Sequence, residues 1–152
     1  MPSKSAPRTG PFVAAAFLCR RIDTAPNGSL TVHGMVGSLI HTNITEEPAL
    51  TLQPFELELV LLVAFWAGDF TGSKLLTVTA TAPDGEVIRV MNEAIKFPET
   101  DTLAHFQVTL RTKYPGAGTY YYAVLLDGRE VTRVPLRIFY RRGLSVSSVF
   151  GP

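Results

Sequence analysis

Cysteine is almost missing from this chain: Cys19 is the single one in 152 residues. That excludes an internal disulfide, which a secreted β-domain of this size often carries, and points to a reducing, cytoplasmic setting. Charge is also scarce. Asp, Glu, Lys and Arg make up 18% of the chain, and 14 basic against 13 acidic residues leave a net charge of +1. Such a balance gives no domain-wide electrostatic footprint for nucleic acid or an anionic membrane. It also gives little mutual repulsion, so self-association is expected. Long apolar runs are lacking: the longest, Leu57 to Gly68, contains Glu58 and is too short to span a bilayer. Lys4 and Arg8 precede an apolar stretch, Pro11 to Cys19, much as in a signal peptide. The stretch ends in Arg20-Arg21, however, with no small-x-small cleavage site after it.

Chemistry-bearing motifs are equally sparse. There is no GxSxG elbow for a nucleophilic serine. Gly116 and Gly118 precede a strand rather than a helix, so they read as turn residues and not as a phosphate cradle. His33, His41 and His105 fall on separate strands or strand ends, and only His33 and His41 would meet, if their strands paired. Cys19 lies in an apolar strand, where a thiol is usually a small buried hydrophobe. The carboxylate pairs Glu46-Glu47, Glu56-Glu58 and Glu99-Asp101 sit in polar loops or at a solvated strand end. No catalytic group, metal or cofactor is expected.

What the chain does have is strand alternation and turn chemistry. The apolar fraction of 46% excludes intrinsic disorder. Thr119 to Leu126 and Arg129 to Phe139 flank Asp127-Gly128, a dipeptide suited to a type I′ hairpin turn, in which both central residues take positive φ. Both faces of the outgoing strand are apolar, which predicts a central strand covered in part on both sides. The returning strand puts Val134, Leu136, Ile138 and Tyr140 on one face and Arg133, Arg137 and Arg141 on the other. Val131 has the wrong parity, so a β-bulge or a break is expected near Thr132-Arg133, and Pro135 belongs at an edge or beside that bulge.

Further strands are expected over Phe12 to Arg21, Ser29 to Val36 with Leu39 to Ile44 continuing it, and Phe55 to Trp66. Lys74 to Ala82 and Glu86 to Glu93 flank a second turn at Pro83-Asp84-Gly85, Ile95 to Phe97 makes a short piece, and Leu103 to Arg111 alternates cleanly. Phe55 to Trp66 begins with Glu56 and Glu58 on one face, which then turns apolar at Val60, Leu62, Ala64 and Trp66. That reads as a strand running from a solvated edge into an interior. About eight strands with no convincing helix predict an all-β fold, an antiparallel β-sandwich of immunoglobulin-like arrangement, with a closed β-barrel as the alternative. Residues 1–11 read as a disordered tail, 12–142 as one sandwich domain and 143–152 as a C-terminal tail.

Three features recur together: AFLC followed by NGSLTVHGMVGSL, a central APDGEVI, and a closing GTYYYAVLLDGREVTRVPLRI. With them the chain resembles a family of small bacterial β-sandwich proteins that has no assigned activity, over Phe12 to Tyr140. The resemblance implies the fold and a bacterial or phage origin. Its motifs are turn glycines and alternating strands, so it implies no chemistry.

The expected function is non-catalytic protein–protein association, as a self-assembling or structural subunit. Leu144, Val146, Val149 and Phe150 of the apolar tail are the candidate partner-binding residues, by strand addition or groove insertion. The alternative is a module for a small ligand or carbohydrate, with Thr45 to Pro54 and Pro98 to Thr102 as its loops and tyrosines or Trp66 as its lining. An enzyme using Cys19 or a histidine pair is a third, weaker reading. Arg20-Arg21, Arg133, Arg137 and Arg141-Arg142 would form one basic patch, with Tyr140 among them, if the first and last strands were neighbours. A membrane partner is not expected, and nucleic acid is disfavoured by the overall charge.

Overall fold

The structure, a computed structural model, describes residues 9–44, 49–99 and 103–143. Nine strands form two sheets. In chain order they are β1 (Phe12–Thr24), β2 (Leu30–Val36), β3 (Ser38–Asn43), β4 (Phe55–Trp66), β5 (Gly72–Thr81), β6 (Val87–Phe97), β7 (Leu103–Tyr114), β8 (Gly118–Leu126) and β9 (Arg129–Arg142). One sheet has the order β2-β1-β4-β7 and the other β3-β9-β8-β5-β6. Among the described residues there is no helix, and the two sheets are not joined into a barrel.

One face of each strand supplies the core between the sheets. Leu59, Leu61, Val63 and Phe65 of β4 meet Leu76 and Val78 of β5, Tyr122 and Val124 of β8, and Leu136 of β9, all buried. Alternation places them there, because successive side chains of a strand point to opposite faces. Burying an aliphatic or aromatic side chain contributes about 1.5–3 kcal/mol, so this layer dominates the stability of the fold.

The Asp127-Gly128 turn has the expected geometry, with φ of 49° and 80°. It is also tied to the sheet: Leu75 N–H donates to Asp127 Oδ1 at 2.9 Å and Lys74 Nζ to Asp127 Oδ2 at 3.0 Å. The hydrogen bond from the Leu75 backbone, with the Lys74 ammonium second, holds the Asp127 carboxyl below the usual carboxylate range. β8 is central, between β9 and β5, as its two apolar faces predicted. The bulge lies at Val131, one residue before the expected Thr132-Arg133: Val124 pairs with Thr132 and Leu125 with Glu130, which leaves Val131 over. Pro135 fits a strand flanked on both sides because β3 begins only at Arg137, whose N–H bonds Gly37 O at 3.1 Å. Pro135 has the same parity two residues earlier, so its missing N–H faces an edge that β3 has not reached.

Three expectations change. Leu39 to Ile44 does not continue β2. The chain leaves the first sheet at Gly37 and β3 pairs with β9 in parallel, from Ser38 with Arg137 to Asn43 with Arg142, so the sandwich is not purely antiparallel. The free edge of β9 beyond Pro135 offers a ladder there. Second, Ile95 to Phe97 is the end of β6, not a separate piece. A bulge between the pairs Val78–Met91 and Thr79–Arg89 resets the parity, so that Met91, Glu93, Ile95 and Phe97 share a face. Third, His33 and His41 lie in different sheets and do not meet.

Gly118, at the entry to β8, has φ of 138°, and a Cβ there would lie 2.5 Å from Pro83 Cγ in the neighbouring turn. Gly118→Ala is expected to destabilise the protein by about 1–3 kcal/mol in urea unfolding. Gly116→Ala, which meets nothing within 4 Å, should stay within about 0.5 kcal/mol of the parent. Equal losses at the two positions would remove the conformational reason.

Candidate functional site

The second face of the β2-β1-β4-β7 sheet has no layer over it among the described residues. β4 runs from a solvated start into a buried stretch, as its pattern predicts, with Leu59 and Leu61 to Phe65 all buried. Val60, Leu62, Ala64 and Trp66 nevertheless face away from the core cluster, Leu62 and Ala64 buried and Trp66 exposed. Strand register groups their neighbours. Leu62 sits between Phe17 and Gln107, Ala64 between Ala15 and His105, and Trp66 between Phe12 and Leu103. Val60 sits beside Cys19, whose partner on β2 is Met35. Met35 is 73% exposed and Trp66 47%. From Phe12 to Met35 this half of the face bears no Asp, Glu, Lys or Arg.

The other half of the same face is charged with both signs. Arg21 stands beside His33 on β2, and Glu58 of β4 pairs with Arg111 of β7. Arg111 Nε bonds Glu58 Oε2 at 2.5 Å, His33 Nε2 donates to Asp23 Oδ2 at 2.7 Å, and Arg21 Nε lies 3.1 Å from Asp23 Oδ1. Each is exposed and contributes at most about 1 kcal/mol to stability. The ladder therefore sets the character of the surface more than the stability of the fold.

Cys19 lies in this face yet is buried by its neighbours, with Sγ 3.6 Å from Val60 O. Burial pushes its thiol above the ordinary value, the opposite of what activates a nucleophile. Its register partners are Met35 and Val60, neither of them a histidine. Among the described residues, no three of His, Cys, Asp and Glu are grouped to hold a metal ion.

The outer face of the five-stranded sheet carries the arginines of β9. Arg133 forms two 2.9 Å bonds to Glu130 and lies 5.6 Å from the Tyr121 ring centre. The bond from Arg133 holds the Glu130 carboxyl below its usual range. β1 and β9 do approach each other, from different sheets, but Arg21 lies on the outer face of one sheet and Arg133 and Arg137 on the outer face of the other, so the single basic patch anticipated from sequence does not form as described. Tyr140 is on the core side, where its hydroxyl donates to Ala49 O at 2.7 Å.

A cleft of about 310 Å³ opens between the sheets where β7 ends, lined by Pro54, Ala82, Ile88, Thr112, Pro115 and Tyr120 among others. The Tyr120 hydroxyl donates to Gly116 O at 2.6 Å. Behind it Tyr114 and Tyr120 meet edge to face at 4.9 Å, and the buried Tyr114 and Tyr122 hydroxyls bond each other. Burial first, then the Tyr122 hydroxyl beside it, pushes the Tyr114 phenol far above its ordinary value. Of the three sequential tyrosines, Tyr122 is thus core, Tyr120 is core with a wall in the cleft, and Tyr121 is an outer residue. Trp66 takes no part in the cleft. Leu144, Val146, Val149 and Phe150 lie outside the described residues, as do 45–48 and 100–102 of the two loops. Sequence reasoning missed the outer face of β1 and β4, although Cys19, Val60, Leu62 and Trp66 share one parity within their strands.

No curated protein matches this chain. Two solved structures are similar over most of it. One is a Pseudomonas fluorescens alkylpurine DNA glycosylase, AlkC, bound to DNA containing an abasic site analog: 9% identity, TM-score 0.44, covering 86% of this chain and 30% of that one. The other is a β-glucosidase from Listeria innocua in complex with isofagomine: 10% identity, TM-score 0.43, covering 87% of this chain and 17% of that one. This chain spans less than a third of the length of either, and at these values neither likeness says anything of its function. A family match covers residues 14–139, nearly the whole two-sheet body, and by it the chain belongs to the Family of unknown function (DUF6941).

Proposed function

We propose that this chain is a non-catalytic association module whose uncharged outer face packs on a second copy of itself. The apolar half of the β2-β1-β4-β7 face carries the reading. It runs along β4 from Val60 to Trp66, roughly 20 Å, and across four strands, roughly 14 Å. At about 280 Å² it is an ordinary size for a monomer's largest patch, and what distinguishes it is four large exposed apolar side chains on one uncharged face: Phe12, Met35, Trp66 and Leu103. The segment Leu144 to Phe150 of the same chain is too short to reach the Trp66 end. β9 ends at the opposite end of the sandwich, with Gly143 N–H on Asn43 O, and β4 alone is about 36 Å long. The segment Leu144 to Phe150, seven residues, spans at most about 25 Å when extended, and the nine residues to Pro152 about 32 Å. A second copy fits the charges as well: the rest of the face carries both signs, so two copies meet no wall of like charge, and an isologous contact needs a self-complementary patch. With about a third of the area of a standard interface on each side, a weak association, with a dissociation constant of about 100 µM, is expected. The lone buried thiol suits the cytoplasmic setting read from the sequence.

We read the sandwich as immunoglobulin-like. In support, β4 and β7 are neighbours in one sheet and β5, β8 and β9 in the other. β3 pairs in parallel with the last strand, and Tyr120 at the start of β8 bonds back to Gly116, as a tyrosine corner does. The fold itself names no function.

Light scattering from about 1 to 500 µM, bracketing the expected constant, tests the association. The parent should move from monomer to dimer or larger species across this range. Met35→Glu, on a side chain that is mostly solvated, should stay folded and weaken the dimer at least tenfold, as a charge buried at an interface centre does. A parent that stays monomeric throughout sinks the reading. A second reading, a small-ligand module, is favoured by the Tyr120 cleft alone; a monomeric parent would bring it forward.

A further inference from the structure

Two clefts, not one, open between the sheets along the β6–β7 side. The first, about 310 Å³, lies beside Thr112 and Lys113 of β7. The second, about 300 Å³, lies beside His105 to Val108 and is walled by Leu76, Met91, Glu93 and Ile95. Between them along β7, Leu110 is fully buried and lines neither cleft. β7 is the last strand of its sheet and pairs without a bulge over all twelve residues with β4, so among the described residues its other backbone edge has no partner. A long, unpaired edge without a bulge, beside clefts with apolar walls and charged rims, is a template for strand addition.

The clefts are six residues apart along β7, about 20 Å in an extended chain. The segment 144–150, LSVSSVF, has its two largest apolar side chains, Leu144 and Phe150, six positions apart and of the same parity, with small Val146 and Ser148 between them. We propose that this segment of one copy adds as a strand to the β7 edge of another, seating Leu144 and Phe150 in the two clefts. Supply from the same chain is excluded by length. Gly143 lies against β3, four strands across the sheet from β6, about 19 Å away, while Leu144 is one residue on and reaches less than about 4 Å. The contact is therefore head to tail and does not close on itself unless a ring forms. This inference shares the association reading above but uses a different surface.

The test uses a chain ending at Arg142 and a synthetic peptide of residues 144–152, followed by calorimetry and amide hydrogen exchange. The peptide should bind, and alternate β7 amides should gain protection as it saturates. Leu144→Ser and Phe150→Ser in the peptide should each weaken binding at least tenfold. Val149→Ser, of opposite parity, should change it less than threefold. No binding up to about 1 mM, the weak limit of specific affinity, overturns the proposal. So does binding without β7 protection, or a Val149→Ser loss equal to that of Phe150→Ser. The two association surfaces separate cleanly. The shortened chain should still dimerise through its outer face, the Met35→Glu chain should still bind the peptide, and each result stands whether or not the other does.

Discussion

Phe97→Ala is expected to remove about 3–5 kcal/mol of stability, the usual range for deleting a buried aromatic side chain. Phe97 is fully buried at the end of β6 and holds together four rings. Phe65 of β4 meets it at 5.7 Å and 74°, Phe70 of the β4–β5 turn at 5.5 Å and 87°, and Phe106 of β7 at 6.0 Å and 69°. These edge-to-face contacts add about 0.5–1.5 kcal/mol per pair beyond area burial. Because the rings come from both sheets and the turn, the hole cannot close by moving one element, so the cavity penalty stays near its upper range. At about 2–4 °C per kcal/mol for a chain of this length, the melting temperature should fall by about 6–20 °C. Phe139→Ala, on the solvated side of β9, should change stability by less than about 0.5 kcal/mol. Urea and thermal unfolding of both variants decide the matter. A Phe97→Ala loss under about 1 kcal/mol would mean that the cluster repacks and is not the pin between the sheets.

The same strands show why the sequence revealed so much of the fold and so little of the surface. Turn chemistry is local, so Asp127-Gly128 and Pro83-Asp84-Gly85 were legible, and so was the Val131 bulge, because a parity fault needs only its own strand. Pairing between distant strands left no such mark. Nothing in Ser38 to Asn43 says that it will lie parallel to β9, since that choice rests on the edge left open beyond Pro135, a hundred residues away. Glu93 hid the continuity of β6 by putting a charge on a core-side position that the structure places at the open β6–β7 cleft. The outer face of β4 is the most instructive case. Leu62 and Ala64 are as apolar as Leu61 and Val63, and alternation reports the chemistry of a face without saying whether another layer covers it. An interior was the natural reading of two apolar faces. Among the described residues only one layer packs on this sheet, although Leu62 and Ala64 are buried, and the second face is the candidate site. The tail residues Leu144 to Phe150 were singled out from composition alone; the two clefts beside β7 supply a spacing for them that the sequence did not contain.

Alkaline pH should unfold this protein through Tyr114. Its phenol is fully buried, bonded to the Tyr122 hydroxyl, and held far above the ordinary value, with burial the first cause and the neighbouring phenol the next. In the unfolded chain the same phenol ionises near pH 10. Above about pH 10 the unfolded state therefore binds fewer protons than the native state, and stability must fall as pH rises. The slope is about 1.4 kcal/mol per pH unit for each tyrosine that the fold keeps neutral. The contribution is complete below the unfolded value and is lost above it; by about pH 11.5 Tyr114 alone should have removed about 2 kcal/mol. Tyr120 is shifted in the same direction by burial, with its Gly116 bond opposing, and adds to the fall. Urea midpoints of the parent and of Tyr114→Phe, taken from about pH 9 to 11.5, separate the contribution. The variant should begin lower, because Tyr122 loses a buried partner and keeps only the 3.4 Å bond to Thr112. It should then decline less steeply, so that the two curves converge. Parallel curves would show that the Tyr114 hydroxyl ionises in the native state, which requires water to enter the cleft behind Tyr120. In that event the sheets part at this end of the sandwich, at the same opening where Phe150 or Leu144 of a neighbour would seat.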